Sequence, residues 1–438
     1  MHPISKQLSA CVAVALATFA PLTHAKPALE ANAEHTATVQ RVLDAPAFKK
    51  AVEVLDEQHG RIVEDGIRLT EIPAPPFKEA ARAKAFAEMV KDSGISEVKI
   101  DKEGNVLALR PGQSPDGKVV VVSAHMDTVF PEDTDVKVKR EGNKLSAPGI
   151  GDDTMSLAVL AGYIRAMDAA KIQTRDSILF VGTVGEEGPG DLRGVRYLFE
   201  QGEYKGKIKS FFSLESGSVE NITHGAVGSK RYRVNFNGPG GHSFGAFGLV
   251  NPMFALGEAA SLFSRLDVPA QPKTTYSIGL LGGGTSVNSI PTQAWMEVDM
   301  RSEDPASLKR VEARLLTLVE QAAATENFAR STKEGPITVK IDPIGDRPAG
   351  QTAADSSLVQ YAAAAVKAGG YKALSNWSST DSNLPMSLGV PAITIGRSAP
   401  GKSGRSHALD EWIDVEKEPM VKTMSVNLST ILSVAGMP

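Results

Sequence analysis

Cysteine is almost missing from this chain: a single residue, Cys11, in 438. It sits in an N-terminal segment that reads as a cleaved signal, so the processed chain is expected to have neither disulfides nor thiolate ligands. Any metal it holds must then be bound by histidine and carboxylates. A charge excess of either sign is missing too. With 47 basic and 51 acidic side chains, well mixed, the net charge is −4. That leaves no basic footprint for nucleic acid and no polybasic patch for a membrane surface. Internal repeats are absent, and so are low-complexity tracts beyond an Ala-rich stretch near the N-terminus. What is present, 42% apolar and 22% charged residues, is a globular composition able to bury a large core. The length points to two domains.

At the N-terminus, Lys6 precedes the apolar run Leu8–Ala20, followed by Pro21 and Thr23-His24-Ala25. A short basic region, an apolar segment and a small residue before a cut after Ala25 form a secretory signal pattern. The run is too short to span a bilayer comfortably. Leu8-Ser-Ala-Cys11 resembles a lipoprotein box in letters only, because the apolar run follows the cysteine instead of preceding it. Residues 1–25 are expected to be removed and the protein to be secreted or periplasmic.

Residues 26–45, polar and Ala-rich, read as a loosely held leader. Helical spacing covers 47–69 and stops at Ile72-Pro-Ala-Pro-Pro76; a second helix is expected over 79–91. Strand-like runs at 98–100, 106–109, 119–123, 178–184 and 211–214 then alternate with helices near 154–170 and 192–200. This is the pattern of an α/β fold, a central sheet with flanking helices. After Gly225 the texture changes. Strands at 230–236, 275–281, 294–300 and 337–341, with helices at 252–265 and 305–324, form an α+β unit. α/β character returns with a helix at 354–368, strands near 371–375 and 392–395, and a closing helix from Glu416. The expected layout is one domain from residues 26–225 and 342–438, interrupted by an inserted domain over 226–341.

The chemistry gathers where strands end. Val121-Val-Ser-Ala-His125-Met-Asp127 finishes an apolar run with a His-x-Asp pair. Asp152 and Asp153 lie in a Gly-rich loop at a helix start, Glu186 and Glu187 follow the 178–184 run, Glu215 follows 211–214, and His407 lies in a Gly/Ser-rich loop. Ligands of open α/β sheets bind beyond the carboxyl ends of the strands. Carboxylates converging there repel one another unless a cation neutralises them. Imidazole with carboxylate suits Zn²⁺ and tolerates Mn²⁺ or Co²⁺. Adjacent carboxylates do not readily bind one ion in the same way, so Glu186-Glu187 implies one ligand and one general base. Asp153 has a second reading as a cap of the following helix. Of the other histidines, His2 and His24 fall in the signal, His35 and His59 in the leader and first helix, and His224 at the domain junction, where it reads as a polar hinge residue.

Taken together, Ser-Ala-His125-Met-Asp127-Thr-Val, Gly151-Asp152-Asp153, Glu186-Glu187-Gly, Gly-Gly-His242-Ser, Gly283-Gly-Thr-Ser-Val-Asn288-Ser-Ile-Pro, Val-Asp299-Met-Arg301 and Ser406-His407 resemble the di-zinc exopeptidase and N-deacylase family. That family includes glutamate carboxypeptidase of the G type, peptidase T, acetylornithine deacetylase, succinyl-diaminopimelate desuccinylase and aminoacylase. The resemblance runs from about Ile62 to the C-terminus. It implies two divalent metal ions bridged by Asp152, with His125 and Glu215 completing one and Glu187 and His407 the other. It also implies that Asp127 holds the His125 ring and that Glu186 is the general base. The inserted domain would be a lid and dimerisation domain, with His242 reaching a homodimer partner's active site as an oxyanion donor. Asn288 and Arg301 match positions near the substrate, although Arg301 could instead pair within its strand. Arg397 and the Gly401–Gly404 loop are further candidates for the substrate's polar end. Two departures stand out: Thr154 where many relatives carry Lys, and Arg405 two residues before His407.

The implied activity is hydrolysis of small peptides or N-acyl amino acids by a secreted enzyme. The alternatives are a dedicated deacylase of the acetylornithine type, which export argues against, and a metal-stabilised binding protein, which would have no use for Glu186.

Overall fold

A computed structural model describes residues 26–95 and 97–438; the expected signal segment lies outside them. The main body is built on a nine-stranded sheet. Its order is Val98–Ile100, Val106–Arg110, Ser177–Thr183, Val119–His125, Ile208–Ser218, Ala392–Ser398, Asn221–Ala226 and Gly350–Gln351, with Leu374–Ser378 also paired to Asn221–Ala226. The four middle strands, from Ser177–Thr183 to Ala392–Ser398, run parallel, and antiparallel strands flank them. All seven residues of Val119–His125 are buried, as expected of a parallel strand covered on both faces. Strand alternation sends Val120 and Val122 into one core and Val119 and Val121 into another. The larger core is filled by the helix Met155–Ala169, buried from Met155 to Met167 without a break. Arg193–Glu200 contributes Val195 and Leu198 to the opposite face.

The second unit is a four-stranded antiparallel sheet in the order Thr274–Gly283, Gln293–Ser302, Gly228–Asn237, Thr338–Arg347. Gln293–Ser302 alternates strictly, burying Ala294, Met296, Val298 and Met300. These pack with Phe236, Leu256 and Leu315 beneath the helices Pro252–Phe263 and Pro305–Ala329. Together the two units are a mixed α/β architecture with an inserted α+β unit. No helix among the described residues is long and apolar enough to cross a membrane.

Several local expectations are corrected. Within the stretch read as a loose leader, Ala33–Asp44 is a helix capped by Asn32, and its Val39 and Val42 are buried in the main core. The span 47–69 is two helices, Pro46–Glu57 and His59–Thr70, broken at Gln58. The strand expected near 371–375 lies at Leu374–Ser378, and that expected over 337–341 is Thr338–Arg347. Asn221–Ala226 was not foreseen. Nor was a small sheet in which Trp412–Asp414 pairs with Lys144–Ser146, joining the segments next to His407 and Asp152.

Leu160 is fully buried in the helix beneath the main sheet. Leu160→Ala is expected to cost about 2–5 kcal/mol through lost burial and a residual cavity, read as a lower denaturant midpoint; a change within 0.5 kcal/mol of zero, roughly the scale of a surface substitution, would contradict the packing described.

Candidate metal centre

The parallel strands deliver their ligand-type side chains to one edge. His125 is the last residue of its strand, Glu215 lies near the end of Ile208–Ser218, and Glu186 and Glu187 follow Ser177–Thr183. Asp152 sits in the irregular turn Ile150–Thr154 ahead of the long buried helix, and its peptide bond to Asp153 is cis. His407 comes from an exposed loop and holds a left-handed backbone, φ 61°.

These side chains meet in two groups that share one carboxylate. His125 Nε2 lies 3.0 Å from Asp152 Oδ1 and 3.7 Å from Glu215 Oε2. His407 Nε2 lies 2.8 Å from Glu187 Oε1 and 3.5 Å from Asp152 Oδ2. Asp152 thus turns one oxygen to each histidine. The ligand atoms of Asp152, Glu187 and His407 all fall within 4.8 Å of one another. So do those of His125 with Asp153 and Glu215, and of His125 with Glu186 and Glu187. Asp153, however, accepts the His125 backbone N–H through Oδ2 at 3.2 Å. It braces the loop behind His125 and makes no side-chain cap on the following helix.

Polar side chains around the ligands fix them in place. The His125 ring is oriented by the backbone carbonyl of Asp127, which accepts from Nδ1 at 3.0 Å, whereas Asp127 Oδ1 is 3.7 Å away. The Asp127 carboxylate instead accepts the backbone N–H groups of Glu186 and Glu187, at 3.0 and 2.7 Å. It therefore positions the Glu pair more directly than the ring. Glu411 does the same for Asp152, accepting from Gly151 N at 2.6 Å and Asp152 N at 2.7 Å. A Cβ at position 151 would lie 2.7 Å from Glu411 Oε1, so a larger residue there would push the Glu411 carboxylate off this contact. Arg397 donates to the Gly151 carbonyl at 2.6 Å. That buried contact corrects its expected place at the substrate. Arg347 Nη1 donates to Glu186 Oε1 at 2.9 Å, and its Nη2 to the Glu186 carbonyl.

Arg347, Glu411 and Asp381 were not singled out from the sequence. Glu411, four residues beyond His407, offered a signal as a carboxylate in the same loop. Arg347 is 161 residues from its partner, and nothing periodic marks it. Asp381, buried and accepting from Thr183 Oγ1 at 2.6 Å, follows a run of Ser and Thr that reads as an ordinary turn.

Burial and crowding of like charge set the electrostatics. Desolvation pushes Glu187 and Glu215 up to about 7 and Asp127 up to about 6. Asp153 and Asp381 go well above the carboxylate range for the same reason. Burial alone would depress the His125 imidazolium, but Glu215 and Asp152 hold it well above the ordinary histidine value. The hydrogen bond to Glu187 raises His407 to about 9. Protein cations alone thus leave these carboxylates holding protons, whereas a divalent cation would let them ionise. Imidazole and carboxylate donors from two groups sharing Asp152 fit such ions, and the set suits zinc, manganese or cobalt.

A cavity of about 530 Å³ opens over the cluster, lined by Asp152, Glu186, Glu187, Glu215 and His407, with Arg231, Arg301 and Arg347 on its walls. Arg301 pairs within its strand, as one of its two readings had it, with Nε 2.7 Å from Asp299, and it also faces the cavity. His242 and Asn288 are not brought there. They lie together on an exposed turn, where Ser243 N donates to the Asn288 carbonyl at 3.0 Å and His242 Nδ1 accepts from Phe244 N and Gly245 N, both at 3.2 Å. Thr154 is buried against Thr70 Oγ1, at 2.6 Å, and Arg405 points to solvent beside Asp410. His224 is structural, bonded to the Thr352 carbonyl and Ser375 Oγ.

A pH dependence follows for the metal-free protein. Glu187 and Glu215 bind more protons folded than unfolded between their ordinary value of 4.5 and about 7. Their contribution to stability is therefore lost as pH rises through that window. His407, raised from 6.5 to about 9, acts in the same direction above pH 6.5. The Tm of chelated protein is expected to fall from pH 5 to 8, and added zinc to raise Tm more at pH 8 than at pH 5. A chelated Tm that climbs across this range would contradict the reading.

Comparison with known proteins gives the fold and the family. Hippurate hydrolase of Campylobacter jejuni is 25% identical over 312 residues, 67% of this chain and 78% of that one. The aminopeptidase PepT of Bacillus cereus superposes with a TM-score of 0.68 at 22% identity, covering 86% of this chain and 99% of that one. The Bacillus subtilis YXEP protein, a dinuclear metal binding peptidase, superposes with a TM-score of 0.59 at 20% identity over 86% and 99% of the two chains. Residues 121–432 match peptidase family M20/M25/M40, a span that takes in every ligand-type residue of the cluster. The chain belongs to that family, and it is a hydrolase of the metallopeptidase and amidohydrolase kind.

Proposed function

We propose that the protein is a secreted, zinc-dependent exopeptidase or amide hydrolase acting on small peptides or N-acyl amino acids. The observation that carries this reading is the pair of donor groups sharing Asp152, with Glu186 beside them in the same cavity. His125, Asp152 and Glu215 would hold one ion, and Asp152, Glu187 and His407 the other. Two such ions, when bound, supply Lewis acidity toward a carbonyl oxygen and make water acidic near neutral pH.

The protein groups do the rest. Glu186 accepts a proton from the attacking water and returns it to the leaving amine. Arg347 occupies Glu186 Oε1, which leaves the other oxygen for that transfer. Arg301, anchored through Nε on Asp299, presents its remaining nitrogens to an anionic substrate end. The name of the C. jejuni relative supports an N-acyl amino acid, and that of the B. cereus structure a peptide.

His242 and Asn288 serve this reading from a second copy of the chain. The turn that carries them exposes Phe244, Phe247 and Val287. Thr274–Gly283 is also an open sheet edge with Leu280 and Leu281 exposed. Apolar surface beside an open edge suits a homodimer interface. Secretion is supported by the signal pattern of residues 1–25.

Glu186→Gln is expected to keep metal content while lowering kcat at least ~10²-fold, the usual scale for a removed general base. Metal analysis with steady-state kinetics checks this, and unchanged kcat would remove Glu186 from the mechanism. For the dimer, Glu186→Gln and His242→Ala chains, each inactive alone, are mixed and allowed to exchange. Half the dimers are then mixed, each with one intact site, so recovery to about a quarter of wild-type activity is expected. No recovery despite demonstrated exchange would place His242 outside the partner's site.

A further inference from the structure

Besides the ligand cluster, the cavity is walled by side chains from three adjacent strands, Ala392–Ser398, Asn221–Ala226 and Leu374–Ser378. Thr394 faces Thr223 across one ladder and Asn376 faces it across the other. Asn221 is two residues from Thr223, so the alternation of a strand places all four on the same face. The intervening residues confirm the register, since His224 and Ser375 bond to each other on the opposite face.

The two amides on this wall are held in opposite senses. Asn376 donates Nδ2 to Thr223 Oγ1 at 2.7 Å, which turns out its carbonyl oxygen as an acceptor with no donor among the described residues. Lys26 Nζ donates to Asn221 Oδ1 at 2.9 Å, which leaves the Asn221 NH₂ a donor with no acceptor among the described residues. Among the described residues that line the cavity, Val129 is the one aliphatic side chain larger than alanine. Neither half of the wall suits an apolar group.

We propose that this wall selects substrates carrying a neutral group that both donates and accepts, a carboxamide above all, over apolar groups of equal size. The substrate carbonyl takes the Asn221 N–H and the substrate NH₂ meets Asn376 Oδ1. An apolar isostere covers both amides without pairing either. Sites built to hydrogen-bond a substrate group reject the analogue that lacks it by large factors. The inference rests on the amide-hydrolase reading and narrows its substrate class.

The test measures kcat/KM of the zinc-loaded chain on near-isosteric pairs: Gly-Asn with Gly-Leu, Asn-Gly with Leu-Gly, and N-acetyl-Asn with N-acetyl-Leu. At least one Asn substrate is expected to exceed its Leu partner by about tenfold or more. That ratio should shrink by about tenfold in Asn376→Leu or in Asn221→Leu, whichever keeps wild-type Tm and metal content. Leu substrates turned over as well as or better than Asn in every pair would overturn the inference while leaving amide hydrolysis intact. So would a ratio that neither variant changes. If no substrate is cleaved, the amide-hydrolase reading itself falls, and the inference with it.

Discussion

Asp127, Asp152, Asp153, Glu186, Glu187, Glu215, Asp381 and Glu411 are all buried around the ends of the parallel strands, and their mutual repulsion is the constraint that the surrounding structure must meet. Water cannot screen them there, and burial alone already pushes several toward neutrality. Arg347 and Arg397 offset part of the charge, each engaged with a definite group, Glu186 in one case and the Gly151 carbonyl in the other. Cations bound between the two histidines are the economical remedy for the remainder. On this view the ligand cluster is a local departure from good packing that metal binding makes favourable.

The architecture confines that departure to one edge. Parallel strands covered on both faces have rigid, apolar bodies, and only their carboxyl ends open to the cavity. His125 gains its position from a strand with no exposed residue. Asp152 gains its own from a turn clamped by Glu411 and Arg397, with the buried helix behind it. Asp127 fixes the backbone of both Glu186 and Glu187, so that the proposed base and the proposed ligand stay in register. Such supporting hydrogen bonds decide whether a cluster of donors is a site or only a cluster. His407 is the exception, coming from an exposed loop tied to the Asp152 segment by the small sheet through Trp412–Asp414.

Much of this was legible in the sequence, for physical reasons that also mark its limits. Apolar runs ending in His, Asp or Glu were visible because strand burial and ligand chemistry both leave local traces, as at Val119–His125 and Phe211–Glu215. The inserted unit was visible through alternation, which Gln293–Ser302 shows most clearly. Contacts that join distant segments left no such trace: Arg347 on Glu186, Glu411 on Asp152, and Thr183 on Asp381. The sequence points to the Asp127 carboxylate for the His125 ring, whereas the backbone carbonyl of that residue accepts from it, because spacing cannot tell the two apart. The helix Ala33–Asp44 was missed for the opposite reason. Its two buried valines are too few to stand out from an Ala-rich, polar stretch.

The central claim is that the buried carboxylates exist to hold a pair of cations that the chemistry needs. Calorimetric titration of zinc into chelated protein, with peptide or N-acyl amino acid turnover followed at each addition, tests it most directly. The account predicts two equivalents bound per chain, proton release on binding at neutral pH, and activity that requires the metal. Full turnover by the chelated protein, or no uptake of metal by a folded chain, would contradict it.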